Sequence, residues 1–491
     1  MEAKTVKPAP PKPDLSLYPE IPEKARLNWN GKTRSFQVYL HTYKTDEATG
    51  KLKKTRITVG AIRESGEFVI SPTWKLKREK EELHSMLLEK GSQDAKRAGL
   101  AAKIISEAAA ETGIDARQKG KAVRSLDAVA LGAILMALCG HSNAASISDG
   151  INRRVRKALL EPYLPELASE PPVSHDTVRK LMLLADRNKV RELFLKLTGG
   201  LASDLENRVI AADGQAVRAT GGAVSGGARM IMSFYDARGR VCIGRKLIDK
   251  KTNEITAGPE ILEDLDVRGA IVTADAMSCQ TAFASKIIEK GAHWLLALKG
   301  NQDRLASEAV AAFSSYEAKA LALPAETEAD HGRVETRQVS ILKASLLPKE
   351  ILGCWKGLAE GSIVRVVRDR VIKNTSEESH EVAWYVTSLA PASGSLRRAA
   401  DTVRAHWSIE NRLLWLLDMR FDQDRMQASD PAYIENRAAL NRTALAMAEN
   451  YRFWLWDHRK TSKILSVKQV MERCEDPSVG LECLCCALGI L

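Results

Sequence analysis

A chain of 491 residues, 45% hydrophobic and 27% charged, can bury at least one large core and has room for two to four domains. No apolar run approaches the roughly 18 residues needed to cross a bilayer, and the longest, residues 128–139, reads as a buried helix. Lys plus Arg number 73 against 62 Asp plus Glu, a net +11; residues 24–80 hold 14 basic and 5 acidic side chains, so +9 of that charge sits in one short stretch. Charge concentrated in this way points to a polyanion partner, nucleic acid above all.

Residues 1–24 read as a disordered Pro/Lys tail with no apolar segment before a cleavage site, hence no secretory signal. Eight cysteines in a long chain without an export signal imply free thiols in a reducing cytosol. A cytoplasmic protein is expected. Residues 25–80 form a basic β-rich unit: residues 35–43 (SFQVYLHTY) and 56–59 (RITV) alternate with period two around turn chemistry at 46–50. Lys51, Lys53, Lys54 and Arg56 follow that turn, either as phosphate contacts or as a solvated edge hairpin. Residues 81–206 are helical, with Ser174 or Asp176 as the N-cap of a helix running toward residue 197.

From residue 207 the pattern changes. Residues 209–212 (VIAA) form a short strand ending at Asp213, and residues 229–235 and 241–248 form a hairpin around a turn at 236–239. A helix near 259–265, a buried strand at 270–274 ending at Asp275, a helix at 280–290 and a strand at 294–298 follow. Three strands, then helix, strand, helix, strand is the order of a ribonuclease H-like α/β core, occupying residues 207–305. Residues 306–395 interrupt it as a mainly β insertion. Residues 396–455 return to the core with a long helix over 396–421, and residues 456–491 form a C-terminal helical region.

Two aspartates therefore end neighbouring strands, where ligands of open α/β sheets collect. Hard oxygen donors there suit Mg²⁺ or Mn²⁺, and Glu410, on the helix carrying His406-Trp407-Ser408-Ile409-Glu410-Asn411, is the best third carboxylate. Lys299, Asn301, His331, Arg333, Arg337 and His406 are candidate DNA contacts, the three around residues 331–337 on a loop. His406 lies one turn before Glu410 and could orient it. Trp407 and Trp415 read as core residues rather than base-stacking ones. Cys474, Cys483, Cys485 and Cys486 contain one CxxC spacing without a second or a nearby His, so buried thiols fit better than zinc.

Six ordered stretches carry a resemblance: Ile210-Ala-Ala-Asp213-Gly214-Gln215, Asn253-Glu254-Ile255 before Pro259-Glu260, Gly269 to Met277, Ala297 to Gln302, His331 to Arg337, and His406 to Asn411. In them the chain resembles the DDE insertion-sequence transposases, in the branch that includes the H-repeat-associated proteins. The resemblance implies Asp213, Asp275 and Glu410 as catalytic ligands of two Mg²⁺ or Mn²⁺ ions, and double-stranded DNA, both transposon ends and target, as partner. It also implies a homo-oligomer, expected to be a dimer on DNA. The chain departs from the branch where Gln215 replaces a usual Lys, Leu414 a second His, and Gln423-Asp424 an acidic pair; from the wider superfamily it departs at Val403, His406 and Leu417. A metal-dependent nuclease, or a non-catalytic DNA-binding derivative of a transposase, is the alternative.

Overall fold

The computed structural model describes residues 10–31, 33–45, 52–115, 124–198, 205–222, 228–248, 254–330 and 332–491. These fall into two units, residues 1–93 and 94–491. Residues 1–9 of the expected tail, the whole 46–50 turn and Lys51 lie outside the described residues.

The first unit is an antiparallel meander of β1 (Arg26–Asn30), β2 (Ser35–Thr45), β3 (Leu52–Arg63) and β4 (Phe68–Ile70). Alternation drives it: Phe36, Val38, Val59 and Ile62 point inward to a small core closed by Ile21 and Trp74. A bulge between Val38 and Tyr39 shifts the β2–β3 register, a device that strengthens twist. Gly60 is required because a Cβ there would stand 2.4 Å from the Val69 carbonyl oxygen.

In the second unit a central sheet runs in the order β10-β12-β13-β14-β9-β8-β5-β6-β7, with β11 pairing β12. One half of it, ending in β7 at the edge, consists of β5 (Val209–Val217), β6 (Arg229–Asp236), β7 (Val241–Ile248), β8 (Ile271–Ala274) and β9 (His293–Leu298). β5 pairs antiparallel with β6 and parallel with β8, and β8 pairs parallel with β9. Helices Glu254–Glu263, Thr281–Glu289 and Asp303–Tyr316 supply the crossovers and one covering layer. Strands β5, β8 and β9 read as apolar runs because layers cover both faces of the sheet.

The region 306–395 contributes β10 (Leu321–Ala322), β11 (Glu326–Asp330), β12 (Arg333–Lys343), β13 (Ser362–Ile372) and β14 (Glu378–Thr387). It does not stand apart, because β14 pairs antiparallel with β9 and the strands extend the central sheet. A continuous helix then runs from Ser393–Ser408 through a π-helical turn, Ile409–Leu414, into Trp415–Phe421. Leu396, Ala399 and Val403 seat its first half on Ile271, Leu295, Val339 and Val364 of the sheet. Asp422, at φ 47°, ends it in the left-handed region.

The helices before and after the sheet share one core. Ala98, Ala101 and Ile105 of helix Pro72–Thr112 pack with Leu131 and Leu135 of helix Leu126–Leu138, and with Leu440 and Met447 of the long helix Pro431–Asp457. Of the two candidate caps, Ser174 is the one used: its hydroxyl accepts from Thr177 N–H at the start of helix His175–Leu184. Among the described residues no helix is long and apolar enough to cross a membrane.

Candidate active site

Asp213 and Asp275 meet because of strand register. Ala212 lies opposite Ala274 in the parallel β5–β8 pair, so the next residue on each strand is an aspartate at the same sheet edge. One detail differs from the sequence expectation. β5 does not stop at Asp213 but continues four residues along β6, from Gly214 opposite Met232 to Val217 opposite Arg229. Asp213 therefore sits mid-strand, at the point where β8 leaves the sheet. The Gly214 N–H donates to its carboxylate at 2.8 Å.

Glu410 comes from the π turn of the helix crossing this edge. π turns interrupt the α ladder and recur at functional sites. One turn earlier, His406 is 7% exposed, and its Nε2 hydrogen-bonds Asp275 Oδ1 at 3.1 Å. The expected role of His406 thus shifts: it holds an aspartate on another element rather than Glu410 on its own helix.

Electrostatics mark the three carboxylates as one group. Burial, then the charge of Asp275, pushes the Asp213 carboxyl up to about 7. Burial and the Asp275 charge also raise Glu410. Asp275 moves the other way, lowered first by the His406 hydrogen bond and further by the charges of His406 and Lys299. Among the described residues, no three His, Cys, Asp or Glu side chains are drawn together closely enough to hold a metal ion, this trio included.

The loop after Asp275 is braced from β9. Asn301 donates its amide to the Ala276 carbonyl, and Gln302 donates to the Cys279 carbonyl at 2.9 Å. Asn301 is thus committed to holding the Asp275 loop. Lys299, exposed at the end of β9, faces both Asp275 and Glu410 with its charge.

Other sequence candidates lie elsewhere. His331 is outside the described residues. Arg333 and Arg337 are on strand β12, not on a loop, and Arg337 pairs with Glu335. β12 stands three strands from β9, on the order of 14 Å across the sheet, so these arginines are not brought to the carboxylates. In the first unit Lys53 and Lys54 lie on β3 with side chains outside the described set, and Arg56 covers the Tyr39 ring at 4.7 Å. Trp407 and Trp415 are not core residues: they are 43% and 52% exposed. Cys474, Cys483 and Cys485 are buried free thiols; burial raises Cys485 to about 12.

Sequence reasoning missed a buried polar network behind the site. Gln215, two residues past Asp213, donates to the Leu414 carbonyl at 3.2 Å and to Asp418 at 2.7 Å. Its own oxygen accepts from Gln423 and, at 3.4 Å, from Arg442. Arg442 also donates to Gln423 at 3.0 Å and to Ser233 at 3.1 Å. Strands β5 and β6, the π turn and helix Pro431–Asp457 are tied together at one point. Its trace in the sequence is two glutamines, Gln215 and Gln423, at positions where the resembled branch is expected to carry charge.

Comparison with known proteins bears on the family. The family described as "Transposase DDE domain" matches residues 204–447, which includes all three carboxylates. The Escherichia coli (strain K12) protein YbfL is 33% identical over 259 residues, 51% of this chain and 66% of that protein. The H repeat-associated YhhI of the same strain is 32% identical over 259 residues, again 51% and 66%. YncI of that strain is 32% identical over 230 residues, 45% of this chain and 90% of the relative. Both YhhI and YncI carry the word transposase in their names. The chain belongs to the DDE transposases, in the branch of the H repeat-associated proteins.

Proposed function

We propose that this protein cleaves DNA at transposon ends and joins the freed 3′ ends to a target, with Asp213, Asp275 and Glu410 as the ligands of two divalent cations, Mg²⁺ or Mn²⁺. The observation that carries the reading is that β5, the end of β8 and the π turn bring three carboxylates within reach of one another's charge, with Asp213 raised to about 7 by burial first and by the Asp275 charge second. The strand order β7-β6-β5-β8-β9, antiparallel then parallel, supports a ribonuclease H-like core. The donor set fits the cations: oxygen ligands only, partly buried, with excess negative charge. Bound there, the cations would lower the pKa of the attacking water or 3′-hydroxyl and stabilise the leaving oxygen.

The chain's own residues do the positioning. His406 fixes the Asp275 rotamer through its 3.1 Å bond. Asn301 and Gln302 hold the loop that follows. Lys299 places a positive charge where a phosphodiester would approach. Gln215 anchors the π turn that presents Glu410.

The test is Asp213→Ala, Asp275→Ala and Glu410→Ala, each assayed on DNA that carries the sequences on either side of the coding region. Cleavage and joining should fall at least a hundredfold, as expected when electrostatic stabilisation of phosphoryl transfer is removed, while DNA binding in EDTA stays within about threefold. An Asp275→Ala protein cutting at the normal rate would overturn the assignment.

A further inference from the structure

A guanidinium drawn out of water costs free energy unless something else accepts its hydrogen bonds. Arg245 is such a group. It lies on β7, the edge strand of the central sheet, and strand register fixes its direction: Asp213 faces Ser233, and Ser233 faces Arg245. Directly paired residues share a sheet face, so Arg245 stands on the face of Asp213, two strands and on the order of 10 Å away. Among the described residues none hydrogen-bonds or pairs with Arg245, and its Nε is sealed from solvent without a partner. The side chain lines a cavity of about 300 Å³ at the sheet edge, walled by helix Arg187–Thr198 and helix Glu254–Glu263.

The other charges around the cavity are committed. Glu435 accepts from the Leu247 N–H at 2.7 Å with one oxygen and pairs with Arg187 at 3.1 Å through the other. Arg191 pairs with Asp264 at 2.8 Å, and Lys246 pairs with Glu260. Asp186 caps helix Arg187–Thr198, accepting from the Asn188 and Lys189 N–H groups at 3.0 and 3.1 Å. Among the described residues four acids and four bases line the space, and Arg245 is the base without an acid. Buried Arg442, which donates to Ser233 at 3.1 Å, adds positive charge from within. Burial above all draws Arg245 down to about 10, and the Arg442 and Arg191 charges push the same way. At neutral pH it is still a cation.

We propose that this cavity binds a small free oxyanion of the phosphate class, orthophosphate or a phosphate monoester, seated on Arg245. Water in a polar cavity would satisfy the hydrogen bonds of the guanidinium but leave its charge uncompensated; an anion does both. The guanidinium fork matches the oxygen pairs of oxyanions. Arg187 and Arg191 each engage their acid through one nitrogen, and a guanidinium has five N–H donors. Donors on several sides of the space suit a tetrahedral anion better than a planar carboxylate with two oxygens. The volume lies at the lower end of small-molecule sites, and a rigid duplex cannot follow Arg245 into it. The site is separate from the carboxylate trio and does not rest on the proposed function.

The experiment titrates the full chain with inorganic phosphate by calorimetry, in metal-free buffer with chloride holding the ionic strength constant. Wild-type protein should bind one phosphate per chain with a Kd of about 1 mM or tighter, and acetate about tenfold more weakly. Arg245→Gln should weaken phosphate binding about tenfold or more, the range of a lost charge-assisted hydrogen bond. Arg245→Lys, which keeps the charge and loses the fork, should fall in between. Absence of saturable phosphate binding by wild-type protein, which requires no variant to fold, would overturn the site. So would an Arg245→Gln protein that folds and binds phosphate as wild type does, or acetate binding as tightly as phosphate. Displacement of phosphate by a short DNA duplex would make the DNA backbone the occupant and overturn the free anion. Asp275→Ala protein should bind phosphate as wild type does; loss of binding there would move the anion to the carboxylates and overturn the cavity.

Discussion

Asp213 stands between two opposing influences. Burial and the Asp275 charge disfavour its ionised form, while one backbone N–H at 2.8 Å and the nearby His406 favour it. The first pair wins, and the carboxyl rises to about 7. The linkage sign follows. Between about pH 4 and 7 the unfolded chain has released this proton and the folded chain retains it, so stability falls as pH rises through that window. Three units correspond to at most about 4 kcal/mol, less to the extent that solvent reaches the group. In metal-free buffer, Asp213→Asn should therefore unfold at higher denaturant than wild type at pH 8, with the two converging near pH 4. Parallel stability curves would show that the carboxyl is not held as described. Added Mg²⁺ should erase the difference by stabilising wild type alone, since only the native trio binds it.

At the scale of elements, the informative joint is where β5, the π turn and helix Pro431–Asp457 meet. The resemblance to the branch leads one to expect Lys at position 215 and an acidic residue at position 423, and Gln215 and Gln423 are two departures that look independent in the sequence. The structure puts them in direct contact, with Arg442 donating to both. At one buried spot a neutral amide pair stands where the pattern of the resembled branch would set a Lys and a carboxylate. Gln215→Lys alone should set a second cation beside buried Arg442, and Gln423→Glu alone should bury an extra anion beside Gln215. Each should cost about 2 kcal/mol or more. The double variant should recover part of the sum, with a coupling energy of about 1 kcal/mol or greater by denaturant titration. Strict additivity would show that the two positions do not interact. This joint also marks what the sequence could and could not reveal. Asp213 and Asp275 were legible because short apolar strands between helices place their ends at one sheet edge. The continuation of β5 was not, because Gly214 and Gln215 break the apolar run although Gln215 is buried. The π turn left no trace in helical periodicity, and hydropathy alone assigned Trp407 and Trp415 to a core they do not enter. The shared core of residues 94–198 with 409–487 depends on contacts hundreds of residues apart, which no local pattern encodes.

For the whole molecule, the division at Gln93 suggests how two copies could share the work. The N-terminal unit holds a complete small core of its own, from Ile21 to Trp74, and nine of the chain's eleven net positive charges fall within residues 24–80. Residues 94–491 retain the helix segment carrying Ala98, Ala101 and Ile105, and with it the entire helical core. Deleting residues 1–93 should therefore leave a cooperative unfolding transition and a pH-dependent carboxylate trio. It should also lower the slope of log affinity against log salt by several units, since each neutralised phosphate contributes about 0.9. An unchanged slope would place the basic unit away from DNA. Moving a DNA segment requires two inverted ends to be processed together, and a two-fold dimer matches that symmetry. If the basic unit of one copy grips the end cut by the other, two defective proteins should repair each other. Glu410→Ala supplies a good grip and no chemistry; the 94–491 protein supplies chemistry and no grip. Mixed in equal amounts on paired ends, they should recover about a quarter to a half of wild-type joining, as random pairing in dimers leaves half the assemblies mixed. Each alone should give background. No recovery, together with a single-copy mass for the active wild-type complex, would mean that each chain grips and cuts the same end.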